Sequence, residues 1–196
     1  MFRGDANAAG AHALLANLDS FILDDAARQK LGGTCLEYHV IKQLPALPPA
    51  TYEDEAPWSR GTPLRDCVKG LVLELTHTAW DLEPWAKNLG WDGLPFNWGE
   101  RRRFLLRSEL AAALLHLYGI GRDGTACLLD TVPIVRRKDE AAHGEHRTKR
   151  VILEIYDEMH REIESGHAYE TRLDPAPADR RSDIPCGATL ETEPER

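Results

Sequence analysis

The sequence lacks any apolar run long enough for a transmembrane helix or a signal peptide. Positive charge is not in excess either, because the sequence has 24 lysines and arginines and 32 acidic residues, which give a net charge of −8. Such a chain has no overall attraction to nucleic acid, so any contact with a nucleic acid must come from a local patch. We expect no membrane partner.

Cysteine is also used sparingly, and no two cysteines form a CxxC pair. Structural zinc sites usually need such close spacing, so we expect no zinc site. Reduced thiols in a cytoplasmic protein are the simplest interpretation. The four cysteines stand alone at Cys35, Cys67, Cys127 and Cys186.

Familiar catalytic motifs are missing as well. The acidic residues do not form the PD-(D/E)xK pattern of nucleases, and Ser20, Ser108 and Cys127 have no base near them in the sequence, as a nucleophile would need. His143 and His146 could hold a metal ion, although solvated loop histidines are the better interpretation. We therefore predict no catalytic residue.

Apolar residues at helical spacing predict most of the fold. They indicate helices over residues 8–24, 100–118 and 147–164, and a helical region over 64–89 that breaks near Pro84. With 196 residues, the chain is long enough to bury a normal core. We expect a single domain followed by a tail.

One segment has the period of a strand. Leu36, Tyr38 and Val40 alternate with polar residues, which predicts a half-buried strand. The predicted class is therefore α+β, predominantly helical, with a short strand or hairpin near residues 34–44. Residues 52–63 and 133–146 are predicted to be a loop and a connector.

The end of the chain has several prolines, mixed charge and few apolar residues. This composition predicts a loosely ordered tail over residues 166–196, after a single domain over residues 1–165.

Basic residues gather at two places. One is the start of the helix predicted over 100–118, where positive charge opposes the helix dipole and suggests an anionic partner. The other is residues 136–150, where six basic residues face three acidic ones, a local charge of about +3. Phosphate contact is one interpretation; a solvated face, or ion pairs with Asp139, Glu140, Glu154 and Asp157, is the other. The candidate phosphate-binding residues are Arg101, Arg102, Arg103, Arg107, Arg136, Arg137, Lys138, Arg147, Lys149 and Arg150.

A third polar group flanks the predicted strand. Arginine and glutamine can bond guanine or adenine edges through two atoms at once, and simple surface polarity is the alternative. The group consists of Arg28, Gln29, Lys30, Lys42 and Gln43. The tryptophans at 80, 85, 91 and 98 are expected to pack in the core and loops rather than to stack on bases.

Two stretches carry the motifs of one protein family. The first contains Arg28-Gln29-Lys30, Gly32-Gly33 and Lys42-Gln43-Leu44-Pro45. The second runs from Gly99 to Met159 and contains Arg102-Arg103-Phe104, Leu117-Tyr118-Gly119-Ile120, Leu129-Asp130-Thr131, Pro133-Ile134-Val135 and Arg147-Thr148-Lys149-Arg150. In these motifs the chain resembles the C-terminal target-recognition region of Eco57I-like adenine-N6 DNA methyltransferases of restriction-modification and phage-defence systems. It departs from the family at Asp19, at His39, and at Ala111 or Ala112.

The resemblance implies a non-catalytic region that recognises or positions double-stranded DNA for a methyltransferase catalytic domain or chain. S-adenosylmethionine is the cofactor of the full-length family, but no cofactor is implied for this chain. The glycine-rich loop that would hold it and the Asn-Pro-Pro-Tyr motif that would hold a flipped adenine are both missing. Gly119-Ile120-Gly121 follows a helix and predicts a helix cap instead. Two alternatives stay open: a structural or protein-interaction module that packs on the methyltransferase domain, or a decayed gene remnant.

The first helix has a special place in this interpretation, because in the family another domain precedes this region. Its apolar stripe would then contact that domain and be exposed in this chain alone. We therefore expect exposure of Leu14, Leu15, Leu18 and Phe21.

Overall fold

The computed structural model of the chain describes residues 8–31 and 35–182, and helices dominate this part of the chain. Its α helices are α1 (Ala8–Leu18), α2 (Phe21–Lys30), α3 (Tyr38–Ile41), α4 (Leu64–Thr76), α5 (Glu83–Asn88), α6 (Glu100–Leu117), α7 (Arg122–Asp130), α8 (Pro133–His143) and α9 (Arg147–Ser165). Strands β1 (Glu55–Ala56) and β2 (Ser59–Pro63) pair antiparallel. The predominantly helical α+β class is confirmed. No helix in the described ranges is both long and apolar enough to cross a bilayer.

The position predicted for the strand is wrong. Residues 38–41 form the short helix α3, and residues 32–34 lie outside the described residues. Val40 is buried there, but Leu36 and Tyr38 are exposed, so the alternating residues do not share a buried sheet face. The hairpin lies instead within residues 55–63, which we predicted to be a loop. Its strands are too short and polar to produce an alternating pattern.

Helices α6 and α9 form the centre of the core. Buried side chains of α6, including Leu106, Leu110 and Leu114, meet those of α9, including Ile152 and Ile155. Both helices begin where the sequence predicts and end within one residue of the predicted position. Gly119 follows the end of α6 with a φ of +66°, a left-handed conformation that glycine adopts without strain.

The first helix divides at Ser20. Its Oγ accepts a hydrogen bond from the backbone N–H of Leu23 at 3.1 Å and so caps α2, which ends the single helix that the apolar pattern predicted over 8–24. The face of α1 that packs on the core carries the buried residues His12, Ala13, Ala16 and Asn17.

The leucines of α1 point outward, as expected. Leu14, Leu15 and Leu18 are 47%, 39% and 46% exposed, whereas Phe21 is partly buried. The prediction of an exposed apolar surface is thus confirmed for the three leucines.

Two further segments differ from the sequence prediction. Residues 133–143, predicted as part of a connector, form α8, which has Pro133 in its first turn and no buried residue. Residues 166–182 are not a loose tail, because Leu173 is buried and the N–H of Tyr169 donates to the Trp58 carbonyl at 2.7 Å. The remaining predicted tail, residues 183–196, lies outside the described residues.

Contacts between α6, α7 and α9 fix how the core helices run. The guanidinium of Arg147, at the start of α9, lies over the ring of Phe104 near the start of α6. At the other end, the rings of His116 and Tyr156 stack 3.8 Å apart, so α6 and α9 run parallel. Helix α7 runs antiparallel to α9, because Arg122 pairs with Asp157 and Asp130 pairs with Lys149. We call the end of the bundle where α6 and α9 begin and α7 ends the basic end; α8 connects α7 to α9 there.

Candidate nucleic-acid interface

The start of α6 brings four arginines to the basic end in three different environments. Arg101 and Arg107 are exposed. The Arg102 guanidinium binds the buried Glu74 carboxylate of α4 through Nε and Nη2. Arg103 is buried, and its Nη1 donates to the Leu75 carbonyl at 2.9 Å. Of these four arginines, Arg101 and Arg107 therefore have no side-chain hydrogen bond or ion pair within the described residues to give up before they bind a ligand.

The start of α9 is more strongly ion-paired. Lys149 Nζ lies 2.6 Å from Asp130 Oδ2, and Arg150 binds both Glu145 and Glu154. These hydrogen bonds lower the pKa of the Asp130 carboxyl and raise the pKa of Arg150. Arg147 has no carboxylate partner in the described part of the chain, and packs on Phe104 at 4.3 Å.

Helix α8 carries a mixture of paired and unpaired cations. Arg136 Nε lies 2.7 Å from Glu140 Oε1, one turn further along the helix. Arg137 Nε donates to the Pro133 carbonyl at 3.3 Å. The exposed Lys138 side chain makes neither an ion pair nor a hydrogen bond within the described ranges. Arg137 and Lys138 lie one turn after the exposed Ile134, so the three share one face of α8.

Of the ten basic residues that the sequence places in the two clusters, four are thus in ion pairs: Arg102, Arg136, Lys149 and Arg150. The other six make no ion pair within the described residues: Arg101, Arg103, Arg107, Arg137, Lys138 and Arg147. The ion-pair interpretation applies to the first set. For the second set, phosphate contact and a solvated face both stay open, and its exposed members leave positive charge at the basic end.

At the start of α9, a carboxylate of this chain competes with any anion for the backbone N–H groups. The N–H of Thr148, in the first turn of α9, donates to Asp139 Oδ2 at 2.6 Å, so a carboxylate of this chain already occupies that position. In α6, Glu100 is the acidic residue of the first turn. At the start of α9, an anion would therefore be bound mainly by arginine and lysine side chains.

The third predicted group lies at the C-terminal end of α2 and in α3. Arg28 forms a 2.9 Å ion pair with Asp24 and donates to both the carbonyl and the hydroxyl of Thr131, which directly follows α7. Because the adjacent Asp130 binds Lys149, this contact connects α2 to the basic end. Arg28 is already held by the protein on several sides.

The other members of that group also have partners inside the chain. Gln29 donates to Asp25 at 2.6 Å, and Lys30 donates to Gln43, which in turn donates to the His39 carbonyl. Lys42 Nζ lies 4.3 Å from the centre of the Tyr38 ring. Reading bases with these side chains would require exchanging those contacts.

The two histidines considered as metal ligands take separate partners. His143 Nε2 lies 3.3 Å from Arg147 Nη1, and His146 Nδ1 lies 3.9 Å from Asp130 Oδ1. Within residues 8–31 and 35–182, no three His, Cys, Asp or Glu side chains are grouped as a metal site needs.

The tryptophans differ from the sequence expectation at two positions. Trp85 and Trp91 are partly buried and pack on the core, as expected, but Trp80 and Trp98 are each 59% exposed. Trp98 directly precedes the basic start of α6. The residues around it, Asn97 and Gly99, carry no periodic signal from which its exposure could be predicted.

Comparisons with protein-family models, with curated proteins and with solved structures gave no match.

Proposed function

We propose that this chain is a non-catalytic module that positions double-stranded DNA by binding phosphates at its basic end. The observation that carries the proposal is the parallel arrangement of α6 and α9. It places the two basic clusters, which lie about 40 residues apart in the sequence, at one end of the bundle. Within the two clusters, the exposed cations without a carboxylate partner in the described chain are Arg101, Arg107, Arg137 and Lys138.

A local site suits the charge of this chain. The net charge of −8 opposes DNA at long range, so binding depends on contacts at short distance. Unpaired exposed arginines need not break an ion pair to bind a phosphate. The partner that the family resemblance implies is a methyltransferase catalytic domain or chain, which would hold S-adenosylmethionine and the flipped adenine.

The charge proposal predicts a specific salt dependence. Replacing Arg107, Arg137 and Lys138 together by alanine should weaken binding of duplex DNA of any sequence. The slope of log K against log salt should flatten by about 0.9 for each phosphate that the variant no longer neutralises. Fluorescence anisotropy with a labelled duplex, titrated at several low salt concentrations, measures both effects.

A matched triple variant separates this site from the loss of charge alone. Arg65, Arg122 and Arg161 are also exposed, but they lie near the start of α4, at the start of α7 and in the last two turns of α9, away from the basic end. Their replacement by alanine changes the net charge equally and should leave the slope close to that of the parent. Equal affinities and slopes for the two triple variants would refute phosphate binding at the basic end.

A second candidate function, protein interaction, is favoured by the leucines of α1. Leu14, Leu15 and Leu18 form a partly exposed apolar surface that no other described part of the chain covers. We propose that a separate methyltransferase domain packs on this surface, which is compatible with DNA binding at the basic end.

Changing Leu14 and Leu18 to glutamine should weaken the affinity for a separately produced methyltransferase domain by about tenfold or more, because burial of a leucine contributes ~1.5–3 kcal/mol. Calorimetric titration measures this affinity. The control is the corresponding change of Leu36 and Leu82, which are similarly exposed elsewhere. If both pairs weaken binding equally, α1 is not the docking surface.

A further inference from the structure

Trp98 is held in a fixed orientation although much of its surface faces solvent. The ring is 59% exposed, and its Nε1–H donates to Glu100 Oε1 at 2.7 Å. On one side of the ring, the Arg103 guanidinium lies 3.6 Å from the ring centre. Arg103 is 7% exposed and is itself anchored by its hydrogen bond to the Leu75 carbonyl. One face of the indole therefore packs on the Arg103 guanidinium and the ring orientation is fixed, while the rest of its surface is exposed to solvent.

Core packing does not explain this arrangement. Trp58 is buried, and Trp91 packs against Phe96 with ring centres 4.7 Å apart. Trp98 instead presents a large apolar ring to water beside the basic start of α6. Exposed aromatic rings with one open face are the platforms on which unpaired bases stack in proteins that bind single strands.

The charges around the ring decide which ligand fits. Arg107 lies one turn after Arg103 on the same face of α6, and it has no carboxylate partner in the described ranges. Burial and then the charge of Arg107 lower the pKa of the Arg103 guanidinium, so these two arginines are electrostatically close. Glu100 is the acidic group beside the ring, and it is bound to the indole N–H. Because positive charge predominates, a cationic ligand is disfavoured, and a purely apolar ligand would make no use of the arginines. A nucleotide combines an aromatic base with a negative phosphate and fits both features.

We infer that the open face of Trp98 is a stacking platform for an unpaired base of single-stranded nucleic acid, with Arg107 contacting a flanking phosphate. This inference deepens the proposed function and rests on it, since both need nucleic acid at the start of α6. It adds a preference for unpaired bases, such as those of a locally opened duplex, which phosphate contacts alone do not give.

The chain contains a matched control for this tryptophan. Trp80 has the same exposure of 59%, but it lies in a 3₁₀ turn beside Asp81, and no arginine of the described residues stacks on it. Loss of Trp80 therefore removes an equally exposed indole without removing the proposed platform.

The test compares Trp98→Leu and Trp80→Leu in the full chain, with a labelled single-stranded DNA oligonucleotide and its duplex at low salt. Trp98→Leu should weaken single-strand binding by about 5- to 100-fold and leave duplex binding within twofold, because only an unpaired base can stack on the ring. Trp80→Leu should leave both affinities within twofold of the parent. Trp98→Tyr, which keeps an aromatic face, should recover most of the single-strand affinity.

Several outcomes would overturn the inference. One is no single-strand binding by the parent, and another is equal single-strand affinity for the two leucine variants. A third is an equal loss of single-strand and duplex binding in Trp98→Leu, which would assign Trp98 to holding Arg103 in place. If Trp98→Leu does not fold by circular dichroism, the comparison of Trp98→Tyr with Trp98→Thr decides instead. The proposed function is tested separately. The duplex measurements with the two triple charge variants decide it, and they do not depend on the result for Trp98.

Discussion

Replacing Asn17 by alanine is expected to destabilise the fold by about 3–5 kcal/mol, because it leaves several buried polar groups without partners. Asn17 is 1% exposed, and its amide bonds four groups. Its Nδ2 donates to the Ala13 carbonyl at 2.7 Å and to the Tyr52 hydroxyl at 2.6 Å. Its Oδ1 accepts from the Leu47 N–H at 3.1 Å and from the Tyr118 hydroxyl at 2.6 Å.

These four bonds use the full capacity of an asparagine side chain, which has two donor hydrogens and two acceptor positions. They join α1 to the segment before β1 and to the residue that follows α6, so one side chain connects three parts of the chain. Burial raises the pKa of the Tyr118 hydroxyl to about 12, so Tyr118 remains a donor over the whole range in which the fold is studied.

Urea unfolding followed by circular dichroism measures the effect, with the exposed Asn88→Ala as the control. Tyr118→Phe removes one of the four bonds and should destabilise by about 1 kcal/mol. The double variant should show less than the sum of the two single effects, since the two side chains share a bond. A loss below about 1 kcal/mol for Asn17→Ala would mean that water or neighbouring groups replace these bonds.

The sequence predicts α6 and α9 well because each is long. Helix α9 also has a regular apolar face, whereas α6 is buried on all sides from Ser108 to Leu115. Val151, Ile155 and Met159 recur at helical spacing and are all buried. Helix α8 was missed because it begins at Pro133 and carries a charged run over residues 136–140, which are also typical of a connector, and it buries none of its residues. The error at Leu36 and Tyr38 has the opposite cause: the alternation is present, but within the described residues no strand pairs with this segment to bury one face of it.

The sequence predicts which basic residues belong to the candidate interface. It does not predict which of them are free of ion pairs. The sequence places Arg102 and Arg107 in one cluster, yet Arg102 is bound to Glu74, which lies 28 residues away. Such a pairing depends on how α4 packs against α6, which local spacing does not determine. Similarly, the parallel course of α6 and α9 follows from the path of α7 and α8 between them, not from either helix.

Residues 166–173 show how polar side chains can order a segment with few apolar residues. The carboxylate of Glu109, on α6, is 3% exposed and accepts hydrogen bonds from three groups of this segment. These are the Thr171 hydroxyl at 2.8 Å, the Arg172 N–H at 2.8 Å and the Tyr169 hydroxyl at 3.2 Å. Composition alone predicts a loose tail here, because the partner is a buried carboxylate on a distant helix.

Replacing Glu109 by alanine should therefore destabilise the chain by about 2–4 kcal/mol at neutral pH, since about 1 kcal/mol is lost for each of the three donors left unpaired. The N–H groups of residues 169–173 should also exchange faster with solvent than in the parent. Thermal unfolding and hydrogen exchange measure these effects, and the adjacent exposed Glu170→Ala is the matched control.

Glu109→Gln tests the charge of this carboxylate separately from its shape. Burial raises the pKa of Glu109 in the folded chain, although the hydrogen bonds from Thr171, Arg172 and Tyr169 and the charge of Arg172 oppose that rise. The folded chain therefore holds the Glu109 proton more tightly than the unfolded chain does. The stability that this group contributes is fully present below its unfolded pKa of ~4.3 and is lost as pH rises through the higher folded-state pKa. Glutamine cannot ionise, so the Glu109→Gln variant does not lose stability in this way as pH rises.

The stability of Glu109→Gln relative to the parent should consequently increase between pH 4 and pH 7. Carboxylates whose pKa is lowered by ion pairs, such as Asp130, Glu145 and Glu154, make stability fall towards acid, but they do so in both proteins and cancel in the difference. Urea unfolding of the two proteins at pH 4.5, 5.5 and 7 gives this difference directly. If the relative stability of the glutamine variant instead decreases with pH, the hydrogen bonds and Arg172 outweigh burial, and Glu109 stabilises the docked segment as an anion.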